Sequence, residues 1–267
     1  MKLALCICGI LRDWEQSFNI LKDKILEGHE VDLFIHTWDN DGSIIDDKFG
    51  SGNHPLSYNL SHIKRGDVID ETFIVEESMK SIDRSDLYKD VVEFVKGMTK
   101  NVIYKSESQE KVLPDLVEIK ERLIDYRYTW SPYSFCSHLY SMYESDKLKN
   151  EYAKLNNIEY DLTIRTRTEL YPLKKIDNNF LKEIKNSGNI AIPMGGDYNT
   201  GINFDLAIGN SDAINWYCSI KNYLQNYSGG QHKILSKHLN EKYKDRIDRW
   251  DFPYKVRDTL ISKDNVR

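Results

Sequence analysis

Two apolar runs bracketing one amphipathic helix constrain this chain more than any other feature. Lys2–Cys8 (KLALCIC) is a short apolar run, long enough for a buried strand and too short for a buried helix. Gly9 ends it. Asp13 and Gln16 then have capping-box spacing, with Asp in place of the usual Ser or Thr. Trp14, Phe18, Leu21 and Ile25 recur on one helical face. Gly28 marks the stop, and Val31–Thr37 is a second run rich in strand formers. Two strands joined this way lie parallel, with a right-handed crossover. The chain is therefore expected to be an α/β protein with a mostly parallel sheet flanked by helices.

The second half continues the pattern. Ser131-Pro132 suits an N-cap followed by proline at the first helical position. Phe135, Leu139, Met142 and Tyr143 supply the apolar stripe of that helix, which is expected to run to about Leu155. Strands are predicted over Asp161–Thr166, Asn189–Pro193 and Phe204–Gly209, and helices over Asp212–Leu224 and Gln231–Glu241. Between the halves the signals weaken. Residues 39–70 are polar, with Gly42, Gly50, Gly52 and Gly66, and read as long loops. Thr72–Val75 and Val102–Lys105 read as short strands, and Asp86–Lys96 and Leu116–Asp125 as helices. With no repeat and no linker composition, one domain over residues 1–267 is expected, with variable loops over residues 40–130.

Composition removes several function classes. The net charge of −5 and a pI near 5.8 argue against general nucleic-acid binding, which needs a basic excess. No run of about 18 apolar residues is present, so no membrane-spanning helix is predicted, and only peripheral membrane contact stays open. The apolar start carries Arg12 and Asp13 early and lacks a small-residue cleavage site, so no signal peptide is expected. Cys6 and Cys8 share a strand face and read as small buried apolar residues. They lack metal-ligand spacing. A reducing, cytoplasmic setting is expected.

Open α/β sheets bind ligands just beyond the carboxyl ends of their strands. At the first strand that rule selects Gly9 and Arg12: the turn's backbone N–H groups face an anion, and a planar guanidinium suits phosphate. The alternative is that Arg12 pairs with a carboxylate. At the second strand it selects Trp38 and Asp39, an aromatic face for a nucleobase and an acceptor for ribose hydroxyls, against simple packing of Trp38 in the core. In YDLTIRTRTELYP, alternation puts Arg165 and Arg167 on one face. Burying both without partners is expensive, and a pyrophosphate is one good bidentate partner. Glu169 follows, able to hold a divalent cation or orient a sugar hydroxyl; the competing reading is a ladder of Arg–Glu and Arg–Asp salt bridges. Asp205, inside NFDLAIG, must be paired or hold its proton more tightly than usual, and the latter suits a catalytic base. Its competing role is a turn cap or backbone acceptor. His36, His138 and His232 read first as satisfied structural residues. Asp197 and His232 follow Asp205 and Glu169 as candidate bases.

Four blocks, CICGILRDW, VDLFIHTWD, YDLTIRTRTEL and NFDLAIGNSDAINWY, stand in this order from Leu3 to Tyr217. Together they resemble a family of GT-A-like glycosyltransferases of bacterial surface-polysaccharide loci and large DNA viruses. The resemblance implies a Rossmann-type, GT-A-like fold, a nucleotide-sugar donor linked through a nucleoside diphosphate, and transfer to a glycan acceptor in surface-polysaccharide or glycoprotein-glycan synthesis. It places Gly9, Arg12, Trp38 and Asp39 toward the nucleotide and Arg165 and Arg167 near the diphosphate. Glu169 occupies the family's usual Asp position, comparable to the second acid of a DxD metal motif, so a Mn²⁺ or Mg²⁺ ion is implied there. Departures are visible: Thr168-Glu169 replaces Pro-Asp, and Phe204 stands where an Asp usually follows Asn203. Two other functions stay open at the level of sequence. A sugar nucleotidyltransferase would normally show a glycine-rich loop with Arg and Lys after the first strand, whereas CGILRDW has only the Arg. A non-catalytic glycan- or nucleotide-binding module would need neither Asp205 nor Glu169.

Overall fold

The computed structural model describes residues 1–11, 14–38, 87–96, 98–107, 111, 112, 115, 118, 132–197, 201–227, 230–256 and 259–261. β1 (Lys2–Cys8) is the third strand of a seven-stranded sheet ordered β3-β2-β1-β4-β7-β6-β8. Its neighbours β2 (Glu30–Trp38) and β4 (Leu162–Arg167) both run parallel to it. β3 (Asn101–Glu107) extends the parallel half beyond β2. On the other side β7 (Leu206–Gly209) runs antiparallel to both β4 and β6 (Ile190–Pro193), and β8 (Ile247–Trp250) pairs parallel with β6. A three-stranded antiparallel sheet, β10-β9-β5, joins Leu170–Pro172 (β5), Tyr254–Val256 (β9) and Thr259–Ile261 (β10). The mostly parallel α/β sheet expected from the sequence is thus present, with one reversed strand.

Strand alternation sorts the core into two layers. Leu3, Leu5 and Ile7 face the layer that holds Phe18, Leu21 and Ile25 of the first helix (α1, Trp14–Leu21, continued by a wider turn over Lys22–Leu26). Ala4, Cys6 and Cys8 face the other side, toward the long helix Pro132–Asn156 (α3). Small residues there let α3 lie close to the sheet, the packing role expected of the two cysteines. The same alternation puts Leu162 and Ile164 in the first layer and leaves Thr163, Arg165 and Arg167 pointing to the α3 side.

The remaining helices cover the edges. α2 (Leu87–Lys96) precedes β3, as the sequence predicts. α4 (Asn178–Ser187) begins where the Asp177 side chain accepts from the Asn179 N–H and ends at Gly188, whose φ of 67° is left-handed. α5 (Ser211–Cys218) is capped by Asn210 and tightens into a 3₁₀ segment over Ser219–Asn226, and α6 (Gln231–Tyr243) follows. No described helix is long and apolar enough to cross a membrane. Strand Thr72–Val75, the loops of residues 39–70, most of helix Leu116–Asp125 and the Ser131 cap lie outside the described residues.

Candidate functional site

Register alone brings the strongest candidates together. β1 and β4 pair with Cys8 opposite Arg167, and β4 and β7 pair with Thr166 opposite Leu206. Because β7 is antiparallel, Asp205 at its start lies beside Arg167 at the carboxyl end of β4. The side chains close the gap. Arg167 Nη2 donates to Glu169 Oε2 at 2.8 Å, and Nη1 donates to Asp205 Oδ1 at 3.2 Å. Burial opposes the Arg167 charge, but these two carboxylates outweigh it and hold the guanidinium more firmly protonated than in water. The salt-bridge ladder foreseen as one alternative for this stretch is therefore present around Arg167.

Asp205 is paired on both oxygens, since Tyr254 Oη donates to its Oδ2 at 3.0 Å. Its own N–H donates to Asn203 Oδ1 at 3.2 Å. Asn203 is fixed in turn: its N–H donates to Asp197 Oδ1 at 3.0 Å, and Arg249 Nη2 donates to Asp197 Oδ2 at 2.8 Å. A charged chain thus runs from β8 through the loop after β6 to the end of β4. Both carboxylate oxygens of this Asp in apolar sequence thus have partners. Sequence reasoning missed Tyr254 and Arg249, which come from C-terminal strands with no motif of their own.

Arg165 is placed differently from the expectation. It is fully buried, 0% exposed, so no face of it reaches a ligand. Its Nη2 donates to Cys8 Sγ at 3.0 Å and to His138 Nε2 at 2.8 Å. Its guanidinium lies 5.8 Å from the Tyr217 ring centroid, and its Nε and Nη1 are buried without hydrogen-bond partners among the described residues. The cause is position: one step deeper along β4 than Arg167's pleat, Arg165 falls beneath α3 rather than at the strand end.

The turn after β1 is also committed internally. Gly9 adopts φ 113°, a conformation that favours glycine, and its N–H donates to Ser141 Oγ at 2.9 Å and to the His36 carbonyl at 3.2 Å. That amide is spent inside the protein rather than offered to an anion. Thr168 Oγ1 donates to the Ile10 carbonyl at 2.6 Å, tying this turn to the one after β4. Trp38 is 4% exposed, stacks on Tyr140 at 5.6 Å and meets His36 edge-on, so here it packs as a core residue. Arg12 and Asp39 lie outside the described residues.

His36 is a satisfied structural residue, as read from the sequence. Nε2 lies 2.8 Å from Glu107 Oε2 and Nδ1 2.8 Å from Ser141 Oγ. Burial holds its imidazole below the ordinary value despite the Glu107 carboxylate. His232 borders the charged cluster: its ring meets Phe204 at 5.6 Å, and Nδ1 lies 3.1 Å from the Ile202 carbonyl. Burial lowers its pKa, with Asp205 and Asp197 opposing. His138 meets the same Phe204 ring at 6.0 Å.

For a divalent cation the described residues fit poorly. Among them no three His, Cys, Asp or Glu side chains converge as metal ligands. Glu169, the one carboxylate assigned to the ion, accepts from Arg167.

No family model and no curated protein sequence matches the chain. Among solved structures, the chain is similar to mouse xyloside xylosyltransferase 1 in its apo form. The TM-score is 0.43 at 8% identity, covering 94% of this chain and 84% of that chain.

Proposed function

We propose that this chain is a glycosyltransferase, moving a sugar from a nucleoside-diphosphate-linked donor to a glycan acceptor in surface-polysaccharide or glycoprotein-glycan synthesis. One observation carries the reading. The blocks of the sequence resemblance lie on adjacent strands β2, β1, β4 and β7, and the last two bring Arg167, Glu169 and Asp205 together along the edge formed by the carboxyl ends of the parallel strands. That edge is where open α/β sheets receive ligands.

Departure of a nucleoside diphosphate develops negative charge that a fixed cation stabilises. Arg167 is the partly exposed arginine of the pair, with side-chain exposure of 23%, and it has N–H groups beyond the two given to carboxylates. It is the residue assigned to the diphosphate. Arg165 supports it from below as a positive charge that the described residues screen little. Asp205 is assigned as the base that takes the acceptor hydroxyl's proton in an inverting displacement. A divalent cation enters only as the donor's own counter-ion, carried on its diphosphate with Glu169 beside it, and no step depends on it. The four buried free cysteines suit a cytoplasmic setting.

A panel of nucleoside diphosphates and nucleotide sugars, with and without Mn²⁺, tests the assignment by thermal shift and donor hydrolysis. One of them raises Tm and is hydrolysed, and Arg167→Ala weakens its binding by the equivalent of about 1.5–3 kcal/mol while the protein stays folded. Unchanged affinity in folded Arg167→Ala removes Arg167 from the diphosphate. Binding without turnover identifies a non-catalytic module, and consumption of a nucleoside triphosphate with a sugar phosphate identifies a nucleotidyltransferase.

A further inference from the structure

His138 sits where a buried cation decides its chemistry. Arg165 Nη2 lies 2.8 Å from His138 Nε2. A guanidinium has only N–H donors and stays charged throughout the accessible pH range. The bond therefore forms only if Nε2 carries a lone pair, which puts the ring proton on Nδ1. Protonating Nε2 would set N–H against N–H and place a second charge beside a first.

The charged and titratable groups of described residues that face His138 all act in the same direction. They are Arg165 and Arg167 from β4 and His232 from α6, and each disfavours a charged imidazole, in addition to burial. No carboxylate of a described residue is among them. Arg165 is itself short of partners, with Nε and Nη1 meeting none among the described residues, so those residues screen its charge little. The far side of the His138 ring differs from the Arg165 side. The residue is partly exposed, its ring abuts Phe204 next to Asp205, and Nδ1 meets no hydrogen-bond partner among the described residues.

We propose that His138 is a specificity-determining residue locked in the neutral Nδ1–H form by Arg165, presenting a hydrogen-bond donor that neither ionises nor accepts a proton to an oxygen of the ligand bound beside Arg167 and Asp205. The ligand half of this proposal rests on the transferase reading; the tautomer does not. Arg165 acts through His138 as a positioning residue, which gives a buried, half-satisfied arginine a reason to stand on this strand. An ordinary histidine so close to a diphosphate would gain charge as pH falls. This one keeps the same hydrogen-bonding character across the physiological range.

Long-range ¹H–¹⁵N spectra of histidine-labelled protein test the tautomer directly. Between pH 5 and 8, His138, assigned through the His138→Gln spectrum, should remain neutral with its proton on Nδ1. Titration within that range, or a proton on Nε2, overturns the proposal without any ligand or any variant of Arg165. The second arm adds the panel of nucleoside diphosphates and nucleotide sugars. A binding member should shift the His138 Nδ1 signal, and His138→Phe, which removes the donor, should weaken it roughly 3- to 10-fold. His138→Asn, which restores an N–H donor, should recover part of the loss. A nucleotide that binds wild type and His138→Phe equally, with no Nδ1 shift, refutes the role of His138 alone. A wild-type protein that binds no member of the panel refutes the transferase reading and the ligand half together, and leaves the tautomer to be judged by the spectra.

Discussion

At the scale of single residues, Asp205 carries the sharpest test, because its two carboxylate oxygens have different partners. Oδ1 accepts from Arg167 and Oδ2 from Tyr254. Asp205→Asn keeps the shape and one carbonyl acceptor but loses a charge-assisted bond, a cost of about 1–3 kcal/mol that folded protein of this size tolerates. If Asp205 is the base, transfer falls by on the order of 10²–10⁴ while donor binding persists. The two quantities are read on one variant as Tm and as rate per folded molecule. A lowered Tm with normal specific activity makes Asp205 a strut for Arg167 and passes the role to Glu169, Asp197 or His232. The site was legible in part. Alternation in LTIRTR placed both arginines on one face, and the isolated carboxylate in NFDLAIG announced that it needed a partner. What alternation does not report is depth along the strand. Arg165 and Arg167 share a face, yet one is buried under α3 and the other is partly exposed. Trp38 likewise ends a strand without leaving the core, because Tyr140 from α3 covers its ring.

At the scale of elements, the helix α3 is the part whose fixation the sequence hid. Lys149 is 1% exposed, with Nζ 2.7 Å from Asp146 on the same helix and 2.7 Å from Asn215 Oδ1 on α5. Asp146 also accepts from Asn150 at 3.1 Å, and burial raises its pKa. Removing one member of a buried pair leaves the other uncompensated, at about 3–5 kcal/mol, whereas replacing both with apolar groups is often neutral. Lys149→Met is therefore expected to lower Tm strongly in a denaturation scan, and the double change with Asp146→Leu to recover most of the loss. Additive losses in the double variant would show that Lys149 acts only through α5. Periodicity found α1, α2, α3, the helical stretches after residue 210 and the parallel strands, since each buries a wide apolar face. It did not find β5, β8, β9 and β10, which span three or four residues apiece and offer too few positions for a period of two. The helix α4 was within reach: Asp177 and Gly188 bracket NNFLKEIKNS with an N-cap and a left-handed stop.

For the molecule as a whole, buried neutral histidines set how stability depends on pH. Burial lowers the pKa of His36, His138, His232 and His238, each below the ordinary value of 6.5. At His238 the Trp216 carbonyl, 2.7 Å from Nε2, opposes this lowering but burial outweighs it, and Tyr227 Oη lies 3.0 Å from Nδ1. Below pH 6.5 the unfolded chain binds protons at these positions more readily than the folded chain does. Stability therefore rises with pH up to about 6.5, is fully present above it, and is lost as pH falls below it. Each histidine contributes up to about 1.4 kcal/mol per pH unit in that range. Glu107 adds a second, lower window. Burial pushes its carboxyl up, but hydrogen bonds from His36 and Lys105 outweigh this and bring it down to about 2, so its contribution is lost as pH falls from 4.5 toward 2. Thermal melts should show Tm nearly flat above pH 7 and lower by roughly 5–10 °C at pH 5.5, with a further fall below pH 4.5. His238→Phe removes one titrating group and should shallow the slope between pH 6.5 and 5.5 without touching the fall below 4.5. A Tm that holds level from pH 7 to 5.5 would mean that these histidines charge inside the fold, and the neutral network around β2, α3 and α6 would have to be redrawn.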